Sequence, residues 1–267
     1  MYMMIANKKD ESGFTLVEIA IVLLIVTILL GYTVALLPVQ QELRQYRAAD
    51  DEMEKILDSL YAFAQVKGRL PCPDTVVNGL GVLNGEEDVI DGPPTRCVSY
   101  FGFLPAKNLG LSGKYNDLSH PVAPGGLLDP WGSAYRYAVS DIDAGDTNID
   151  LVTEGGIKDE GMANVESDLE ICEDSNATGP DLNCGAVSGG PVVIKIPAVI
   201  ISMGKDNKIV ALSASSNIQT ENIDDFHDGT NDKVYVFRSR RDDYDDIVKW
   251  ISPNILYSKM IDAGRLP

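Results

Sequence analysis

Histidine is nearly missing from this chain, which has only two, His120 and His227. Neither stands in a metal-ligand or catalytic spacing, so imidazole-based zinc sites and histidine-activated nucleophiles have no sequence support. Cysteine is sparse as well: Cys72, Cys97, Cys172 and Cys184 are all there are. No pair has the CxxC spacing of a zinc ribbon or redox motif. No glycine-rich phosphate loop and no internal repeat occur. Positive charge is also short, with 22 basic against 40 acidic residues and a net charge of -18. Such a surface repels phosphate backbones and argues against a nucleic-acid partner. Acid pairs abound, so a carboxylate-dyad hydrolase is the one enzyme class that composition leaves open. No residue is assigned a catalytic role, and the reading is of a non-enzyme.

What the chain has is 267 residues, 45% of them hydrophobic, enough for a buried core rather than a disordered polymer. It also has one long apolar run, Ile19 to Leu37. As a helix those residues span roughly 28 Å, close to the hydrocarbon thickness of a bilayer. Thr27, Gly31, Tyr32 and Thr33 dilute the run without adding charge. Just before it stands Gly13-Phe14-Thr15-Leu16-Val17-Glu18, and before that a polar leader with Lys8 and Lys9. The lysines predict a cytoplasmic leader with the C-terminal part outside. A secretory signal is cut after its apolar core, whereas the small residue here precedes the core. A carboxylate at the edge of such a segment is costly in lipid unless something neutralises it.

Polar leader, glycine, Phe-Thr-Leu-Val-Glu and apolar run together resemble the prepilin signature of type IV pilins and type II secretion pseudopilins. The resemblance covers about the first 40 residues. It implies cleavage between Gly13 and Phe14 by a prepilin peptidase, with N-methylation of Phe14. It implies that Glu18 serves assembly, pairing with the amine of a neighbouring subunit. The implied partners are other pilin or pseudopilin subunits, the peptidase and an inner-membrane assembly platform. The implied location is the bacterial inner membrane, single-pass, with the head in the periplasm or outside in a pilus. The second reading is a membrane-anchored periplasmic binding domain that forms no filament.

The expected organisation is a leader at 1–13, a long helix at 14–67 and a head at 68–267. The fold class is α+β, pilin-like, with an antiparallel sheet packed on the helix. Beyond Pro38, which predicts a kink, apolar residues recur at Leu43, Tyr46, Met53, Ile56, Leu57, Leu60 and Phe63/Ala64, an amphipathic spacing. Gly68, Pro71 and Pro73 stop the helix. Residues 75–96 read as a loop closed by a disulfide. Asp129-Pro130-Trp131-Gly132 followed by Tyr135-x-Tyr137 resembles the turn-into-strand of the major pseudopilin, with the tryptophan packed in the core. Tyr135, Tyr137 and Val139 share one face of that strand. Residues 141–187 are acidic and glycine-rich and read as an insertion, with a short strand at Ile149–Thr153. Val192–Met203 reads as a strand, or as two separated at Pro197. Lys233–Phe237 and Ile247–Ile251 are further strands. A last helix opens at Pro253 and ends at Gly264.

Four cysteines behind a membrane-targeting segment point to disulfides. Of three connectivities, Cys72–Cys97 with Cys172–Cys184 closes two local Gly/Asp/Pro-rich loops. Ser202-Met203-Gly204-Lys205-Asp206 resembles the segment where major pseudopilins place a calcium loop. That resemblance implies Asp206, Asp225, Asp243 and Asp245 as oxygen ligands. The long connection from Asp206 to Asp242 and the flanking Lys205 and Lys208 depart from the family. A solvated acidic loop is the alternative.

Overall fold

The computed structural model describes residues 13, 15–75, 84–90, 96–111, 126–140, 151–160, 167–173, 191–205, 222, 233–241 and 244–266, without the side chains at 32–37 and 160. Phe14, Cys184, Asp206, Asp225, Asp243, His120, His227 and most of the 141–187 stretch lie outside the described residues. The chain divides into two compact units, Met1–Gln45 and Tyr46–Pro267. The first helix, α1, runs over Leu16–Lys67, with Pro38 inside it.

Within the second unit α1 buries Ala49, Met53, Ile56, Leu60 and Ala64 completely. The steps of four and three residues put these on one stripe. Gly68 ends the helix: its N–H donates to the Ala64 carbonyl at 2.8 Å, and its φ of +72° suits a residue without a Cβ.

The stripe packs on an antiparallel sheet in the order β3 (Phe101–Phe103), β4 (Arg136–Val139), β7 (Ala198–Ser202), β9 (Ile247–Trp250). Strand alternation sorts side chains between two cores. Tyr135, Tyr137, Val139, Ala198 and Ile200 join α1 in the first core. Ala138, Val199 and Ile201 face the second. β7 is therefore buried along its whole length, which explains its unbroken apolar run.

The second core lies under a further sheet, β6 (Pro191–Ile196), β5 (Leu169–Cys172), β8 (Val234–Val236). β5 and β6 run antiparallel, but β5 and β8 run parallel, so the head is not purely antiparallel as expected. The apolar stretch does split at Pro197: β6 belongs to one sheet and β7 to the other. A proline cannot donate to a ladder, and here it marks the change of sheet.

Two further expectations need correction. Ile149–Thr153 was to hold a strand; its described part, Leu151 to Thr153, is a turn leading into α2 (Gly156–Glu160). Leu151 and Val152 are apolar because they fill the first core, and the Leu151 carbonyl accepts from the Leu70 N–H at 2.7 Å. The 75–96 loop contains β1 (Val89–Ile90), paired with β2 (Arg96–Cys97). The helix α3, Pro253–Asp262, closes the unit. Gln65 Nε2 donates to the Lys259 carbonyl at 2.8 Å, and the Arg265 guanidinium donates to the Gln65 and Val66 carbonyls. The end of α3 thus satisfies carbonyls at the end of α1.

Candidate functional site at the start of the long helix

Thr15 is the residue before α1, and Glu18 is the third residue of its first turn. The Thr15 N–H donates to Glu18 Oε2 at 2.8 Å, and the Thr15 hydroxyl donates to the same oxygen at 2.9 Å. The Glu18 N–H donates to Thr15 Oγ1 at 3.3 Å. This is a capping box, in which two otherwise orphaned donors are satisfied reciprocally. A carboxylate in the first turn also complements the helix dipole. The signal was open to view as Thr-x-x-Glu, yet sequence reasoning assigned Glu18 to assembly alone and gave Thr15 no role.

From Leu16 onward the helix surface is apolar and exposed. Leu16 is 86% exposed, Leu24 60% and Ile28 64%. Thr27 directs its hydroxyl to the Leu24 carbonyl at 2.8 Å, so this hydroxyl is satisfied within the helix. Among the described residues no helix is long and apolar enough to cross a membrane. The expected anchor, Ile19 to Leu37, continues into 32–37, whose side chains are outside the described residues. Gly13 precedes the cap. A Cβ added there meets nothing within 4 Å among the described residues, so none of them demands glycine at this position.

In the head, Asp129 organises the Asp-Pro-Trp-Gly turn. Its Oδ1 accepts from the N–H groups of Trp131 at 3.0 Å and Ser133 at 2.9 Å. Its Oδ2 accepts from the Ser202 hydroxyl at 2.6 Å, tying the turn to β7. Burial pushes the Asp129 carboxyl above its ordinary range despite these donors. Trp131 is half-buried rather than a core residue. It meets Tyr46 edge-on at 4.6 Å, and its indole N–H and the Ser133 hydroxyl find no partner among the described residues.

Of the four expected calcium ligands only Asp245 is described. Its Oδ2 accepts from the Lys205 N–H at 2.6 Å. Gly204 lies at φ +66°, and a Cβ there would stand 2.7 Å from the Asp245 carboxyl. Glycine is thus required by both backbone and contact. Asp245 thus lies beside the turn that follows β7. Among the described residues no group of three or more metal-ligating side chains forms.

Cys72 and Cys97 form a disulfide, as expected. Cys172 is also disulfide-bonded, and Cys184, its expected partner, lies outside the described residues. Beside the first bridge, Arg69 and Glu87 form a two-pronged pair at 2.8 Å for each contact, with side chains only 11% and 12% exposed. Next to it Asp74 is 1% exposed, with Oδ2 accepting from the Gly85 N–H at 2.7 Å and Oδ1 without a partner among the described residues. Burial, aided by the Asp88 carboxylate, pushes Asp74 from an ordinary 3.8 to about 7.

The folded Asp74 therefore holds its proton up to about 7, where the unfolded one has lost it above 3.8. Between these values the folded state binds more protons, so stability is lost as pH rises through that window. Asp74→Asn is expected to flatten this fall, by on the order of 2 kcal/mol near pH 8. Chemical denaturation of the wild type and the variant at pH 5 and pH 8 checks it. Equal pH slopes for the two would refute it.

Residues 8–34 match the prokaryotic N-terminal methylation motif, the signature of type IV pilins and pseudopilins. No curated protein and no solved structure matches the chain.

Proposed function

We propose that the bearer of this methylation signature is a structural subunit of a type IV filament system, a minor pilin or a pseudopilin. In this reading residues 1–13 are a leader, and Lys8 and Lys9 keep it in the cytoplasm. The apolar start of α1 anchors the chain in the inner membrane with its head in the periplasm. A prepilin peptidase cuts after Gly13 and methylates Phe14. An inner-membrane platform then moves the subunit into the filament. There Glu18 meets the Phe14 amine of a neighbour, which neutralises a carboxylate that lipid or packed helices would not tolerate alone.

The observation that carries the reading is the join at Thr15. A capped helix begins with a carboxylate and continues as an exposed apolar surface. Exposed apolar area of that kind marks a surface meant to be covered. Gly13 adds support, since no packing among the described residues requires it. A glycine with no structural duty fits recognition by a peptidase. The role is assembly rather than catalysis. The same geometry offers an acidic group to a partner cation and no nucleophile–base pair.

Intact mass of the purified protein, with and without the peptidase, is the test. The expected product starts at Phe14 and carries one added methyl group. A native chain that begins at Met1 would support instead the anchored binding domain that forms no filament.

A further inference from the structure

We propose that Arg47, Arg240 and Arg241 form the face on which an acidic surface of a second copy of this chain docks. The inference rests on the filament reading, in which copies stand side by side. It starts from charge. Each chain carries -18, so two copies repel wherever unlike charges do not face each other. Screening reaches only to about 8 Å at physiological salt, so a close contact must reverse the sign locally.

Among the described residues the reversal is found at the first turns of α1 within the head. Arg47 follows Tyr46 and is exposed. The Arg240 guanidinium lies 3.9 Å over the Tyr46 ring, and the same ring meets Trp131 edge-on at 4.6 Å. Arg241 follows and is exposed, held by a bridge to Tyr244. Some other basic side chains of the head are engaged, Arg69 with Glu87, Lys249 with Asp50 and Glu54, Lys233 with Asp168, while exposed lysines such as Lys55, Lys67 and Lys158 stand apart from any aromatic stack. Among the described residues Arg47, Arg240 and Arg241 have no carboxylate partner; Asp51 lies one turn along α1 from Arg47, and Asp242 and Asp243, which follow Arg241, lie outside the described residues. In a chain with 40 acidic residues, unpaired arginines are not explained by a lack of local acids.

Stacking suits Arg240 to the task. A guanidinium laid on a ring keeps its donors at the rim of the stack, where a carboxylate can be gripped by two parallel bonds. The stack also fixes a side chain that would otherwise lose rotamer freedom on binding. The partner surface is acidic, and on a chain of this composition acidic surface is plentiful.

The test uses the full-length chain in neutral detergent, followed by sedimentation at about 50 and 500 mM NaCl. The wild type is expected to self-associate about tenfold more weakly at high salt, three exposed ion pairs contributing a few-fold each. The triple variant Arg47→Glu, Arg240→Glu, Arg241→Glu is expected to associate equally weakly at both. A control with the same charge change, Lys55→Glu, Lys67→Glu, Lys158→Glu, is expected to follow the wild type. Circular dichroism establishes that each variant is folded, and single reversals replace the triple if it is not. Association of the arginine variant at wild-type strength overturns the proposal, as does equal loss in the lysine control. So does loss of binding to phosphatidylglycerol vesicles with self-association intact, which makes the face a membrane contact. An uncut chain whose arginine variant still loses self-association would sink the filament reading and leave this surface standing.

Discussion

Glu18→Gln is expected to leave the head folded and peptidase cleavage intact while cutting filament incorporation by at least about tenfold. The substitution separates two duties that Glu18→Ala would merge. Glutamine can still serve the capping box, because an amide at this position reaches back to the Thr15 N–H as a carboxylate does. It cannot carry the charge. In the structure Oε2 takes both Thr15 donors, so the cap occupies one of the two carboxylate oxygens. Among the described residues the other takes no donor, which leaves it to an amine from a neighbour in the proposed filament. If the pairing is what draws the subunit into place, its loss removes several kcal/mol, and 1.4 kcal/mol already corresponds to tenfold. The converse variant, Thr15→Val, keeps the charge and deletes half of the cap. It is expected to cost about 1 kcal/mol in helix stability and to assemble better than Glu18→Gln. Counting cross-linked subunits in sheared filaments measures both. Normal incorporation of Glu18→Gln would leave capping as the whole role of Glu18.

The same pair shows what was legible in the sequence. Local patterns were readable because they report local physics. Met53, Ile56, Leu60 and Ala64 announced a helix face and are buried as expected. Tyr135, Tyr137 and Val139 alternate because a strand has two sides, and all three lie in the first core. Pro197, Pro253 and Gly264 mark breaks that only a missing donor or a positive φ can explain. The Cys72–Cys97 bridge followed from closing a short loop.

What escaped was non-local or concealed by composition. Arg69 and Glu87 are 18 residues apart, and nothing in either neighbourhood predicts that they meet. β5 is a four-residue strand set in acidic surroundings, with no alternation long enough to declare it. Its parallel pairing with β8 joins segments more than sixty residues apart. Leu151 and Val152 looked like a strand because apolarity was read as periodicity, although two buried residues in a turn satisfy it equally. Among the candidate site residues, the motif pointed to Gly13 and Glu18, while the capping by Thr15 needed the geometry of the helix start.

The second large effect is expected at the disulfide. Replacing Cys72 and Cys97 by serine is expected to destabilise the head by about 3.5 kcal/mol, the chain-entropy value for a loop of this length. Both sulfurs are buried and close a loop of sequence separation 25. For a head of this size that is a fall in melting temperature of roughly 10 °C. The loop is held a second time. Glu87 Oε2 accepts from both the Arg69 guanidinium and the Cys72 N–H, so the ion pair and the bridge grip the same turn. Glu87→Gln strands a guanidinium that is 11% exposed, and breaking such a pair costs about 3–5 kcal/mol. Because the two restraints share Cys72, their losses are expected not to add. Once the bridge is gone the turn can open, Arg69 can reach water, and the penalty for losing Glu87 shrinks. Thermal melts of the two variants and their combination measure the coupling. A combined loss equal to the sum would show that the ion pair and the disulfide act on the head independently, and that the turn stays closed on either one alone.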